Sequence, residues 1–159
     1  MRVTIIAVGK LKEKYLKQGI QEYLKRLQPF AKIEIIEVPD EPHQEGLSEN
    51  AAEQVKQKEA EQITRHIKTG THLIAMDIAG KMYNSEEMAA YFDKLMVTGK
   101  SNITILIGGS LGLSKELLKR SHLRLSFSKL TFPHQLMRLI LLEQIYRCYK
   151  IINNEPYHK

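Results

Sequence analysis

The chain has 159 residues, about the length of one ordinary domain, so we expect residues 1–159 to form a single domain. With 24 Lys and Arg against 18 Asp and Glu, its formal charge is +6, which favours a polyanionic partner. The apolar stretch 136–152 is interrupted by charged residues and predicts no membrane span. Residues 1–8 are too short an apolar run for a signal-peptide core and lack a small-residue cleavage site, so we expect no secretion. One cysteine, Cys148, excludes an internal disulfide and indicates a reducing compartment, so we expect a cytoplasmic protein.

The first half of the chain alternates β-branched runs with segments of helical periodicity. Asn50 followed by Glu53 predicts a capping box at the start of a long polar helix. The predicted elements are a strand at 3–8, a helix at 16–27, a strand at 33–38 and a helix from Asn50 to about Ile67.

The second half continues the alternation and ends in the longest apolar helix. The predicted elements are a strand at 72–78, a turn at Gly80, a helix starting at Ser85, a strand at 103–107, a short helix capped by Ser114, a strand at 123–127 and a helix at 133–149. Alternation of this kind predicts an α/β fold, with a mostly parallel sheet and flanking helices.

A glycine-containing loop, Gly108–Gly112, follows the most apolar of the predicted strands. Open parallel sheets bind ligands beyond the carboxyl ends of their strands, and glycines let a backbone approach a ligand closely. The same glycines would also suit a tight strand-to-helix turn. The chain has neither the dinucleotide-binding G-x-G-x-x-G after its first strand nor a P-loop, which argues against both cofactor folds.

The same loop satisfies the serine hydrolase pattern G-x-S-x-G, with Ser110 as nucleophile. Glu143 and His158 follow in the chain order that such a triad requires. The helix that should begin at the nucleophile is instead capped by Ser114, so hydrolysis is an alternative reading only. The histidines show no metal-binding spacing, and we expect no metal site.

Four blocks of residues stand in order along the chain. They are Leu73–Asp77 with Gly80 and Lys81, Leu106–Gly109 with Gly112, Leu130–His134 with Arg138, and Asn153 with Pro156–His158. Together these blocks resemble the SPOUT methyltransferases, and over nearly the whole chain they resemble the RlmH family within that class. Where the family's loop often carries Pro-Glu, this chain has Ser110 and Leu111.

The resemblance implies a SPOUT-like fold with a trefoil knot in the C-terminal half. It also implies that S-adenosylmethionine (SAM) binds, bent, among three loops that follow strands. The cofactor-binding residues implied in this chain are Met76, Gly108, Gly109, Phe127, Ser128, Lys129, Leu130, Thr131 and Phe132.

The resemblance further implies methylation of N3 of a pseudouridine in 23S ribosomal RNA (rRNA), within the assembled ribosome. The implied enzyme is a homodimer in which the tail of one subunit completes the site of the other. We expect Arg138, Tyr157 and His158 to shape the acceptor pocket, with His158 assisting deprotonation or orienting the base. Lysines and arginines of the polar helix are expected to meet phosphates. A non-catalytic ribosome-binding factor of the same fold is the second alternative.

Overall fold

The computed structural model describes residues 1–159 and confirms the α/β fold. A five-stranded sheet in the order β2-β1-β4-β3-β5 has every neighbouring pair of strands parallel. The elements are β1 (Arg2–Val8), α1 (Lys14–Leu27), β2 (Lys32–Val38), α2 (Glu49–Thr64), β3 (His72–Met82), α3 (Ser85–Val97), β4 (Asn102–Ile107), α4 (Lys115–Arg120), β5 (Leu123–Ser126) and α5 (His134–Ile152).

Helices cover both faces of the sheet, which explains why the central strands β1 and β4 are largely apolar, with Thr4 and Thr104 as their buried polar residues. On one face, Ile5 and its neighbours pack with α1, α3 and α5. On the other face, Ile6 and Val8 pack with α2 and α4. Cys148 of α5 is buried in the first of these layers, and burial raises the pKa of its thiol to about 12. The cysteine is therefore a small apolar core residue.

The start of α2 differs from the prediction. The N-cap is Ser48, whose hydroxyl accepts a hydrogen bond from the backbone N–H of Ala51, so the capping box expected at Asn50 was wrong. The Glu53 carboxylate instead accepts a hydrogen bond from the backbone N–H of Lys115, at the start of α4. The Glu53 carboxylate, which the local pattern assigned to helix capping, therefore contacts a segment that is distant in the sequence.

The turn expected at Gly80 was also wrong, because β3 continues through it to Met82. The pairing of β3 with β5 changes register between Met76 and Lys81, which both pair with Leu125, so residues 77–80 have no partner on β5. A Cβ on Gly80 would lie 2.6 Å from the carbonyl carbon of Arg124, so only glycine permits this approach. The isolated glycine thus marks close backbone contact within a strand rather than the end of one.

None of the helices combines the length and the hydropathy needed to cross a membrane. The trefoil knot that the resemblance implies stays a prediction.

Candidate active site

A cavity of about 750 Å³ lies where the loops after β4 and β5 meet the middle of β3. Its volume is in the range of small-molecule sites, roughly 300 to 1,000 Å³. Except for Lys129, every residue predicted to bind the cofactor lines it: Met76, Gly108, Gly109, Phe127, Ser128, Leu130, Thr131 and Phe132. The structure therefore brings together segments that are separated by up to about fifty residues in the sequence.

The loop after β4 has a backbone that only glycine can form. A Cβ on Gly108 would lie 2.6 Å from the carbonyl carbon of Gly112 and 2.9 Å from the backbone nitrogen of Leu113. The backbone N–H of Gly112 donates to the carbonyl oxygen of Gly109 at 3.0 Å, and Gly112 has a φ of +85°. These contacts close the loop on itself, and the residues 108–113 all line the cavity.

Glu59 of α2 is the buried support beneath this loop. It is 5% exposed, and its carboxylate accepts a hydrogen bond from the backbone N–H of Glu41 at 3.0 Å. A Cβ on Gly109 would lie 3.3 Å from one of its oxygens, which explains the second glycine. Burial raises the pKa of Glu59 above its ordinary value.

The loop after β5 forms a second wall. The hydroxyl of Ser126 donates to the carbonyl oxygen of Ser128, and the hydroxyl of Ser128 accepts from the backbone N–H of Leu130, both at 3.0 Å. Leu130 itself remains 71% exposed although it lines the cavity. Apolar walls next to exposed main chain suit a ligand that has both an aromatic base and charged groups.

The titratable side chains that line the cavity are Lys56, Asp77 and His134. The sequence analysis quoted Asp77 and His134 only as part of the resemblance and gave them no role in the site, whereas Lys56 is one of the lysines of the polar helix that were expected to meet phosphates. Asp77 forms an ion pair with Arg124 at 2.6 Å, and Lys56 forms one with Glu53 at 3.0 Å. Burial and the nearby charge of Arg138 lower the pKa of His134, so its imidazole is neutral at pH 7. Its position two residues after Phe132 was the available signal.

The structure places Arg138 away from the cavity lining. Its side chain is 1% exposed and ion-paired with Glu37 at 2.6 Å. Its Nη2 donates to the carbonyl oxygen of Gly9 at 2.6 Å and more weakly to that of Val8 at 3.3 Å. A buried guanidinium held by these acceptors does not face the cavity of its own chain, and the expected role of Arg138 in the acceptor pocket stays a prediction. Within its own chain the guanidinium anchors the β1–α1 connection.

Burial alone would raise the pKa of Glu37. The hydrogen bond from the backbone N–H of Leu11 and the pairing with Arg138 outweigh burial and lower that pKa. Glu37 therefore remains ionised and completes the anchor.

Tyr157 and His158 do not line the cavity of their own chain. The Tyr157 hydroxyl donates to Glu143 at 3.0 Å, and burial together with its contacts to Tyr23 and Glu143 raises its pKa. His158 lies 2.9 Å from Glu86 of α3. The tail is thus held against the outer side of the α1, α3 and α5 layer.

The predicted hydrolase triad is not assembled. Glu143 pairs with Arg147, and His158 contacts Glu86, so neither reaches Ser110. The Ser110 hydroxyl instead lies 3.0 Å from Nε2 of His43, whose Nδ1 faces the carbonyl oxygen of Gln44. No carboxylate orients that imidazole, as an acyl-transfer triad requires. No group of three or more His, Cys, Asp or Glu side chains is arranged to hold a metal ion.

Comparison with known proteins agrees with this geometry. The model of a family described as predicted SPOUT methyltransferase matches residues 1–158. Proteins named ribosomal RNA large subunit methyltransferase H are 59% identical in Alkaliphilus oremlandii, 58% in Listeria monocytogenes serotype 4b and 55% in Desulforamulus reducens. Each of these alignments covers 100% of this chain, and at least 99% of the relative.

A solved structure supports the fold. A probable methylase family protein from Haemophilus influenzae Rd KW20 aligns with a TM-score of 0.50 and 15% identity. The alignment covers 96% of this chain and 66% of that longer chain. At this identity the likeness concerns the fold alone. The family match and the full-length relatives confirm the resemblance seen in the sequence, and the chain belongs to the RlmH family of SPOUT methyltransferases.

Proposed function

We propose that this enzyme transfers a methyl group from SAM to N3 of a pseudouridine in 23S rRNA, acting on the assembled ribosome in the cytoplasm. The observation that carries the proposal is full-length identity of 55% to 59% with relatives whose names specify large-subunit rRNA. The chain acts as one domain, since its family match runs from residue 1 to 158.

The residues around the cavity fit SAM as methyl donor. Backbone groups of Gly108, Gly109 and 128–131 would bind the adenine edge and the methionine carboxylate, while Met76 and Phe132 provide apolar walls. When bound, SAM supplies an already activated methyl group. The protein's task is then to hold the acceptor nitrogen in line with that group and to exclude water.

The acceptor nitrogen must also lose its proton. Two histidines are candidates for receiving or orienting it. His134 lines the cavity, and its lowered pKa leaves it neutral and able to accept a proton at pH 7. His158 would reach a cavity only from the tail of a second subunit, because it does not line its own.

A homodimer explains both the position of the tail and the surface of α5. Leu136, Met137, Leu139 and Ile140 remain only half-buried in one chain, on the helix that begins at the cavity. A partner packed there would cover them and bring its own tail close to the site. A measured mass of one chain at micromolar concentration, with full activity, would contradict this arrangement.

The decisive experiment is incubation with labelled SAM and, separately, naked 23S rRNA, free subunits and assembled ribosomes that lack the modification. Nucleoside analysis should find a methylated pseudouridine, formed fastest on assembled ribosomes. Label in another nucleoside, or none in any RNA, would refute the proposal.

Two controls address the alternatives. Calorimetry should show that the protein binds SAM, and the labelling assay should show that it transfers the methyl group. Together these two results would exclude a non-catalytic binding factor. Ser110 lines the cavity, but substitution Ser110→Ala should still permit methyl transfer, because it keeps the glycines of the loop and removes only the hydroxyl that is hydrogen-bonded to His43. If the wild type cleaves esters and does not bind SAM, and the variant no longer cleaves esters, the results would support hydrolysis instead.

A further inference from the structure

We propose that residues Lys10–Lys17, here called the lysine segment, form the surface that binds the RNA sugar–phosphate backbone beside the cavity. The inference rests on the proposed RNA substrate and names the part of the protein that holds it. It replaces the expectation that the lysines of α2 make this contact.

The lysine segment begins at the carboxyl end of β1 and is fixed to the start of α5. The backbone N–H of Lys12 donates to the side-chain oxygen of Gln135 at 3.1 Å, and that of Leu11 donates to Glu37 at 2.6 Å. The Arg138 guanidinium donates a hydrogen bond to the carbonyl oxygen of Gly9, the residue just before the segment. Because His134 and Met137 of the same turns of α5 line the cavity, the segment lies at its edge.

The charge of the lysine segment is concentrated and unpaired. Residues 10–17 contain four lysines and one glutamate, and so carry half of the chain's formal charge of +6. All four lysines are exposed, and none takes part in an ion pair. Such a cluster attracts polyanions by displacing their counterions.

The lysines at α2 are arranged differently. Lys56 pairs with Glu53, Lys58 with Glu41, and Lys68, just beyond the helix, with Glu34. The helix itself contains more glutamates than lysines. A phosphate approaching α2 would therefore meet carboxylates as well as cations, and gain little net attraction.

Two features of the lysine segment point to nucleic acid in particular. Tyr15 is 65% exposed among the lysines, and an exposed aromatic ring between cations can stack on an unpaired base. Lys14 and Lys17 lie at the start of α1, whose first turn contains no acidic residue, and the adjacent Glu13 at the N-cap forms no ion pair with either of them. Cations there oppose the helix dipole, so their position does not serve the stability of the free protein.

The test compares two variants of equal charge. In the segment variant, Lys10, Lys12, Lys14 and Lys17 are all changed to Gln. In the control variant the same change is made at four exposed lysines of the opposite, amino-terminal edge of the sheet, which are Lys25, Lys32, Lys94 and Lys100. Each protein is titrated with a fluorescent 23S rRNA fragment and with ribosomes over salt concentrations from about 50 to 200 mM.

The segment variant should bind RNA on the order of 100-fold more weakly at low salt, with a log–log salt slope shallower by roughly 3, since each phosphate contact contributes somewhat less than one. Its SAM affinity should equal that of the wild type, which shows that it is folded. The control variant should keep most of the slope. The double variant at Lys10 and Lys12 and the double variant at Lys14 and Lys17 should each show about half of this change in slope.

If the segment and control variants lose RNA affinity equally, the proposal is overturned, because the loss would then depend on net charge and not on the position of the lysines. Unchanged RNA binding in the segment variant, combined with lost binding to anionic lipid vesicles, would assign the surface to membranes instead. These outcomes concern binding alone. A wild type that binds RNA through the segment but methylates no rRNA would refute the proposed function and leave this inference standing.

Discussion

Replacement of Gly108 by alanine tests whether the closed loop after β4 is needed for SAM. The new Cβ would lie 2.6, 2.8 and 2.9 Å from the Gly112 carbonyl carbon, its oxygen and the Leu113 nitrogen, all of which are backbone atoms. Ordinary carbon contacts are about 3.5 to 4.0 Å, so the backbone must move by roughly 1 Å. That movement would break the Gly109–Gly112 hydrogen bond and displace the cavity floor.

We expect Gly108→Ala to weaken SAM binding by about 10- to 100-fold, or roughly 1.4 to 2.8 kcal/mol. Strain of this kind should also lower the free energy of unfolding by about 1 to 3 kcal/mol. Calorimetric titration with SAM and thermal unfolding measure the two effects separately.

Two other glycines provide the controls. In Gly109→Ala the Cβ meets side-chain atoms of Val8 at 3.1 Å and Glu59 at 3.3 Å, which can shift slightly, so the loss of affinity should be smaller. In Gly70→Ala the Cβ meets nothing within 4 Å, but the backbone has a φ of +78°. That variant should lose about 1 kcal/mol of stability and keep its SAM affinity. Wild-type SAM affinity in Gly108→Ala would refute the proposed role of the loop.

Three further predictions concern buried groups. Arg138→Met removes the donor to the buried Gly9 carbonyl and the partner of the partly exposed Glu37, and should lower the free energy of unfolding by about 1 to 3 kcal/mol in chemical denaturation. The pKa of Glu37 is lowered in the folded state, so the stability that its pairing with Arg138 contributes should be lost in the wild type as the pH falls through that pKa. The variant should lose much less stability over the same pH range. Identical acid unfolding profiles of the two proteins would contradict the pairing. Glu59→Gln should leave the free energy of unfolding at pH 7 unchanged or higher, because the raised pKa of Glu59 means that its ionised carboxylate opposes folding. Any advantage of the variant over the wild type should shrink as the pH falls through that pKa, because the wild-type carboxyl then becomes protonated. Cys148 should resist iodoacetamide in the native protein and react after unfolding, and fast native alkylation would show that the α5 layer is open.

Most of the secondary structure followed from local patterns. The run 103–107 is apolar except for Thr104 because helices cover both faces of β4, and the prediction differs from the structure by one residue. Ser114 caps α4 as expected, with its hydroxyl accepting from the backbone N–H of Leu117. Signals of this kind depend on residues a few positions apart and are readable from one sequence.

The features that were missed depend on contacts between distant segments. Gly80 resembles a turn residue in the sequence, but its approach to Arg124 arises only once β5 lies beside β3. Arg138 resembles a binding residue because charged side chains are rarely buried, and its acceptors on Gly9 and Glu37 are more than a hundred residues away. The strand order could likewise not be derived from the succession of elements.

The candidate site was predictable in position but only partly in composition. The family resemblance located three loops, and all but one of the residues it implied for the cofactor line a single cavity. It did not indicate that the lysines near α2 are paired, or that unpaired lysines gather after β1. Charge pairing depends on side-chain geometry, which a count of residues does not contain.

The buried guanidinium of Arg138 joins the candidate active site to the lysine segment. It belongs to the helix that begins at the cavity, and it holds the first carbonyl of the connection that leads into the lysine segment. The guanidinium is 1% exposed, so its position in the fold is fixed even though Glu37 remains 38% exposed. If the lysine segment holds a phosphate as proposed, the distance from that phosphate to the candidate active site is therefore set by the folded chain.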